Sequence, residues 1–240
     1  PDSIRIEDIP VSKRKCLTFL HGLSDDSTSC LRLSKIELYA METGLVVVMP
    51  SVGRSMYCDN INGQNYFTHV AKEIPEYLEL VFGLSRKKQD NYIAGISMGG
   101  MGAAKVALTY PDHYAGVALF SGLLDVKMML PNVTEDHQRE FPFIYSEAAN
   151  MDHTPLNPIN LLDKEKHKDL EILVRCGKQD DLYMMSQAFY QKAKDMQLNV
   201  TSIFEDGAHE WRLWDRYLDD YVKIIAGNTG STGDTGNSSE

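Results

Sequence analysis

Residues 91–110 read NYIAGISMGGMGAAKVALTY. An apolar run of strand length, 91–96, meets a glycine-flanked turn and then a small-residue segment, 99–110, of helical length. The turn Gly95-Ile96-Ser97-Met98-Gly99 is a G-x-S-x-G sequence in a strand–turn–helix setting. Such a turn is so tight that side chains on its flanks collide, which explains glycine on both sides. The serine is left at the tip, above the sheet, with a helix N-terminus behind it. Gly100 and Gly102 extend the small-residue run and allow the helix to lie close to its neighbours.

Working outward, apolar runs of strand length recur at 15–20, 45–49, 117–120, 172–176 and 200–204. Between them, Val70, Ile74, Tyr77, Leu78 and Val81 fall at helical spacing, as do Trp214, Leu218, Tyr221, Val222 and Ile225. Pro75 should kink or divide the first of these helices. Alternating strands and helices predict an α/β domain with a mostly parallel sheet and helices on both faces. Ligands of such sheets bind at the carboxyl ends of the strands, so the strand-end loops matter most. Residues 124–169, with Pro131, Pro142, Pro155 and Pro158, read as an insertion over those ends. Residues 227–240 have no large apolar side chain and should be a disordered tail, leaving 1–226 as the domain.

Composition narrows the partners. The 240 residues carry 24 Lys and Arg against 34 Asp and Glu, a net charge of −10. That charge opposes phosphate backbones, so nucleic acid is not an expected partner. No apolar run approaches the ~20 residues that span a bilayer, so no integral membrane role is expected. Cys16, Cys30, Cys58 and Cys176 show no C-x-x-C or zinc-type spacing, and H-E-x-x-H is absent. They read as reduced thiols in strands and loops, which leans towards the cytoplasm, with no metal. The chain opens on Pro1, and an upstream segment or signal peptide could precede it.

A serine nucleophile needs a base oriented by a carboxylate. His209 follows the run 200–204 and precedes the last helix, the place expected of the base. The other histidines are less suited: His69, His113, His137, His153 and His167 read as surface residues and His21 as a brace of the first strand-end loop. The carboxylate should come from Cys176-Gly177-Lys178-Gln179-Asp180-Asp181, where Asp180 is preferred over Asp181. Ser97, Asp180 and His209 then stand in the order Ser…Asp…His. Oxyanion donors are expected from the backbone N–H of Met98, after the serine, and of Leu23, where Gly22 lets the chain turn its amides inward. Trp211, Trp214 and Tyr217 read as core rather than as a sugar platform. Met128, Met129, Phe141, Phe143 and Tyr145 could shape an acyl or leaving-group pocket or simply pack the insertion onto the body.

Taken together, His21-Gly22-Leu23, Gly95-Ile96-Ser97-Met98-Gly99-Gly100, Gly177-x-x-Asp180 and Gly207-Ala208-His209-Glu210-Trp211 resemble the tributyrin esterase group. That group lies in the esterase-D-like branch of α/β-hydrolases, beside S-formylglutathione hydrolases, feruloyl esterases and mycolyl-type acyltransferases. The similarity runs from about Lys15 to Ile225. It implies an α/β-hydrolase fold and a cofactor-free serine carboxylesterase for acetyl to butyryl esters, working through an acyl-enzyme. It also implies Ser97, Asp180 and His209 as triad, Leu23 and Met98 as oxyanion donors, and self-association. The alternatives are an S-formylglutathione thioesterase, a feruloyl or acetyl-sugar esterase, an acyltransferase, or a silent binding protein. Three departures stand out. Strands that relatives carry before this chain's first residue are expected to be missing from one sheet edge. Cys30 stands where relatives often have tryptophan, and Asp181 where they are often aromatic.

Overall fold

The computed structural model describes residues 9–60, 63–129 and 156–227. Within them six strands form one wholly parallel sheet: β1 (Cys16–Leu20), β2 (Val46–Val48), β3 (Asn91–Ile96), β4 (Gly116–Phe120), β5 (Glu171–Gly177) and β6 (Val200–Glu205). Their order is β2-β1-β3-β4-β5-β6. Each apolar run of the sequence is one of these strands; β1, β3, β4 and β5 are buried along almost their whole length, and strands covered on both faces need apolar residues at nearly every position.

Alternate residues of each strand face opposite cores. Ile93, Val117, Leu119, Ile172 and Val174 join one core, together with α5 (Met98–Thr109) and α8 (Tyr183–Asp195). Phe19, Tyr92, Ile96, Phe120 and Leu173 join the other, with α2 (Ile36–Thr43) and α9 (Trp211–Gly227). A short helix, α1 (Ser29–Leu33), precedes α2 and carries Cys30, which therefore sits in neither strand nor loop. The fold is that of an α/β-hydrolase.

Pro75 divides its helix. α3 (Tyr66–Thr68) widens into a π-helical turn, His69–Glu73, before α4 (Ile74–Phe82) resumes. A proline ring clashes with the carbonyl four residues earlier, here Ala71, and the wider turn lies where that clash would fall.

The strand order reverses direction between β1 and β3, because β1 leads to β2 on one side and the later strands build on the other. Ligand crevices open at such switch points. Here Gly22, just past β1, lies against Ser97, just past β3: a Cβ on Gly22 would stand 3.6 Å from the Ser97 Cβ.

The stretch 124–169 departs in part from a simple insertion. Its ends belong to the body: α6 (Val126–Met129) follows β4, and a 3₁₀ turn, Pro158–Leu161, and α7 (Lys164–His167) lead into β5. Residues 130–155, with Phe141, Phe143, Tyr145, His137 and His153, lie outside the described residues, as do 228–240. Gly227 is not tail but the last residue of α9. His167 is wholly buried rather than at the surface. Its Nδ1 accepts the Asp163 N–H at 3.0 Å, and its Nε2–H donates to the Leu108 carbonyl at 2.9 Å. Burial holds its pKa below the ordinary histidine value, so it serves as a neutral tie between α7 and α5.

Candidate active site

The chemistry-bearing residues sit at the carboxyl ends of adjacent strands. Ser97 follows β3 with φ 54° and ψ −119°, a left-handed backbone that costs a non-glycine residue energy and persists only where neighbours impose it. Three hydrogen bonds do so. The Ser97 N–H donates to Phe120 O at 3.0 Å, and the Ser97 carbonyl accepts from the N–H groups of Met101 and Leu123, both at 3.2 Å. A Cβ on Gly95 would fall on the Gly99 carbonyl, and one on Gly99 would fall on the Leu20 carbonyl. Both glycines of the motif are therefore steric requirements.

Asp180 lies in the loop after β5 with its side chain fully enclosed. Its Oδ2 accepts from His209 Nδ1 at 2.9 Å, and its Oδ1 accepts the Leu182 N–H at 2.8 Å. Burial pushes the carboxyl pKa up, but the bonds from His209 and Leu182 and the Ser121 hydroxyl nearby outweigh it and hold the group below the usual carboxylate range. Asp181 is exposed and takes no part in this arrangement. The bond to Asp180 fixes the proton on His209 Nδ1, so Nε2 is left as an acceptor. The loops bearing the two residues are latched together. Gln179 N–H donates to Gly207 O at 3.0 Å, and Gly207 N–H donates back to Gln179 Oε1 at 2.6 Å.

Sequence reasoning passed over Ser121. It follows β4, is wholly buried and adopts φ 47°. Its hydroxyl stands close enough to Asp180 to help lower that carboxyl's pKa, and it accepts the Trp214 indole N–H at 3.0 Å. Trp214 in turn meets the His209 ring edge-on, with centroids 4.8 Å apart. The signal was faint: a lone serine before Gly122 at the end of a strand. Trp214 and Tyr217 are core residues, as expected, but Trp214 also braces the histidine.

At the other side of Ser97, His21 is buried. Its Nε2 accepts the Val52 N–H at 3.0 Å, so its proton sits on Nδ1 and is donated to Gly22 O at 2.7 Å. In a trans peptide the N–H points opposite to the carbonyl, so drawing Gly22 O onto the His21 ring turns the Leu23 N–H the other way. Met98 is the first residue of α5, where helix N–H groups have no partner within the helix. Asp26 caps the next turn, accepting from Thr28 N–H at 2.7 Å and Thr28 Oγ1 at 2.6 Å. The structure thus joins Asp180 to His209 and sets Ser97 beside Gly22; among the described residues no hydrogen bond links Ser97 Oγ to His209.

Among the described residues no group of three or more His, Cys, Asp and Glu side chains could hold a metal, and no helix is long and apolar enough to cross a membrane.

Comparison with known proteins bears on the family and the fold. The model of the Esterase family matches residues 17–224. An acetyl esterase of Caldicellulosiruptor saccharolyticus is 26% identical over 228 residues, covering 91% of this chain and 85% of that protein. The structure resembles that of FphF, a fluorophosphonate-binding serine hydrolase of Staphylococcus aureus, with a TM-score of 0.83 and 32% identity. It also resembles an S-formylglutathione hydrolase (FrmB) from Staphylococcus aureus, with a TM-score of 0.80 and 32% identity. Each alignment covers 94% of this chain and 89% of the other. The chain therefore belongs to the Esterase family and is a carboxylic ester hydrolase built on an α/β-hydrolase fold.

Proposed function

We propose that the protein is a serine carboxylesterase for short acyl esters, acetyl to butyryl. The observation that carries this reading is the Asp180–His209 bond at 2.9 Å, in a sheet that also sets a serine on a strained turn at the strand-order reversal. His209 Nε2 takes the Ser97 proton as Oγ attacks the ester carbonyl, and the N–H groups of Met98 and Leu23 hold the oxyanion. The tetrahedral intermediate collapses, the alcohol leaves with the proton from His209, and an acyl-serine remains. Water attacks that ester by the same route and releases the acid. Asp180 keeps His209 in the right tautomer and stabilises its charged form. The oxyanion donors act at the step where charge develops, and one such donor is typically worth about 2.7–4 kcal/mol.

The reading is tested with p-nitrophenyl esters from acetate to octanoate, using the native chain and Ser97→Ala. Fastest turnover at acetate to butyrate, with a fall of at least ~10³ in Ser97→Ala, supports it. Equal rates in the two proteins refute it. A second reading, hydrolysis of the thioester S-formylglutathione, is favoured by the 32% identity to FrmB, and a higher kcat/KM on that thioester would select it. The four free thiols suit a reducing cytoplasm, which fractionation of the source cells tests. Self-association is tested by light scattering.

A further inference from the structure

Lys105 is buried, at 3% exposure, in the apolar interior beneath α5. No step of the proposed reaction uses it. Its ammonium spends its donors on a single turn of chain: Tyr57 O at 2.7 Å, Met56 O at 3.3 Å and Cys58 Sγ at 3.0 Å. That turn is strained. Met56 and Tyr57 are consecutive non-glycine residues with φ 52° and 49°, a left-handed backbone that side chains disfavour. The lysine satisfies the two carbonyls that the turn leaves inward, and so compensates for that conformation.

The turn delivers Tyr57 to one place. Its ring is wholly buried against α5, at the point where a Cβ on Gly102 would collide with it. Its hydroxyl donates to His21 O at 3.0 Å. His21 is the residue whose ring draws the Gly22 carbonyl aside and so orients the Leu23 N–H. The two N–H groups of the oxyanion pocket come from separate loops, one after β1 and one at the start of α5. Lys105 and Tyr57 bridge them, since Lys105 stands on the same helix as Met98.

We infer that Lys105 and Tyr57 are positioning residues for the oxyanion pocket, fixing the Gly22–Leu23 peptide relative to the helix that begins after Ser97. The inference rests on the reading of Leu23 and Met98 as the oxyanion donors. Neither side chain touches substrate. Both act through His21.

Tyr57→Phe removes one oxygen atom and keeps the ring against Gly102; Lys105→Met keeps an unbranched stem without the ammonium. Turnover of p-nitrophenyl acetate is measured per active site, counted with a fluorophosphonate. Affinity is measured for an alkyl trifluoromethyl ketone, to which a serine adds to form a tetrahedral oxyanion, and for the matching unreactive methyl ketone. In each variant we expect kcat to fall about tenfold to a hundredfold, less than or equal to the loss of a whole donor, with KM nearly unchanged. Affinity for the trifluoromethyl ketone should fall by the same factor as kcat/KM, and affinity for the methyl ketone should hold.

A merely structural role would lower the melting temperature and the number of titratable sites while leaving kcat per site intact. That result in Tyr57→Phe overturns the inference, as does an equal loss of affinity for both ketones. If Lys105→Met does not fold, Tyr57→Phe decides alone. A native protein that turns over no ester overturns the esterase reading and this inference with it. An active native protein beside an unimpaired Tyr57→Phe overturns this inference alone.

Discussion

Trp214 donates its indole N–H to Ser121 Oγ at 3.0 Å, and the same hydroxyl helps to lower the pKa of the Asp180 carboxyl. The last helix is thereby tied to the residue that follows β4. The His209 ring bonds Asp180 and meets the indole in a T-shaped contact.

Ser121→Ala removes that tie and leaves the indole N–H buried without its acceptor. We expect a loss of about 1–3 kcal/mol in unfolding free energy, measured by urea titration. The Asp180 carboxyl also loses a neighbouring hydroxyl that lowers its pKa, so it should titrate at higher pH than in the native chain. NMR titration of the carboxyl carbon checks that direction.

Asp180→Asn should lower kcat on p-nitrophenyl acetate by about 10³–10⁴, since the amide presents a donor where His209 needs an acceptor. Asp181→Asn, on an exposed side chain, should change it by less than about twofold, in line with surface substitutions that touch no functional feature. Steady-state kinetics of the two variants side by side decide between the acids.

Stability should fall on the alkaline side. Burial pushes the thiols of Cys16, Cys30 and Cys176 from 9.0 up to about 12. Between those values the unfolded chain releases protons that the native chain keeps. Unfolding then becomes easier as pH rises, by up to about 1.4 kcal/mol per pH unit for each thiol. Urea midpoints at pH 8, 9 and 10 should decline ever more steeply, and replacing Cys176 by Ala should flatten the slope. Asp180 works in the opposite direction at the acid end. Its folded pKa lies below 3.8, so its contribution is complete above the unfolded value and is lost as pH falls through the folded one.

Gly99→Ala should abolish activity and cost more than about 3 kcal/mol of stability, because its Cβ would fall on backbone carbonyls that cannot swing aside. Thermal melting and fluorophosphonate labelling measure the two effects separately. Gly53→Ala is the informative contrast: that residue has φ 55° but nothing within 4 Å of an added Cβ, so only backbone strain is felt.

The six strands were legible because a sheet covered on both faces leaves little room for polar residues, and their ends follow from register. Pro75 announced its break through chemistry that depends on no tertiary context. His167 was not legible. A histidine among Lys164, Glu165 and Lys166 looks solvated, and only the fold supplies Leu108 O for its second nitrogen. Ser121 and Lys105 escaped for the same reason: the hydrogen-bond partners of their side chains lie 47 or more positions away in the chain. Ser97 and His209 stood out because each sits beside glycines whose tight turns are local. Asp180 and Asp181 differ only in which one the chain buries, and composition does not record that.

The ends of the stretch between β4 and β5 are stapled to each other. Ile159 N–H donates to Leu124 O at 3.0 Å, Asn157 Nδ2 to Asp125 Oδ1 at 2.9 Å, and Val126 N–H to Asn157 Oδ1 at 3.0 Å. Whatever chain runs between those anchors, its length and composition can change without moving the strand ends that carry Ser121 and Asp180. Grafting a stretch of another family member between the same anchors should therefore leave those strand ends in place, and is the natural way to recruit this scaffold to new esters.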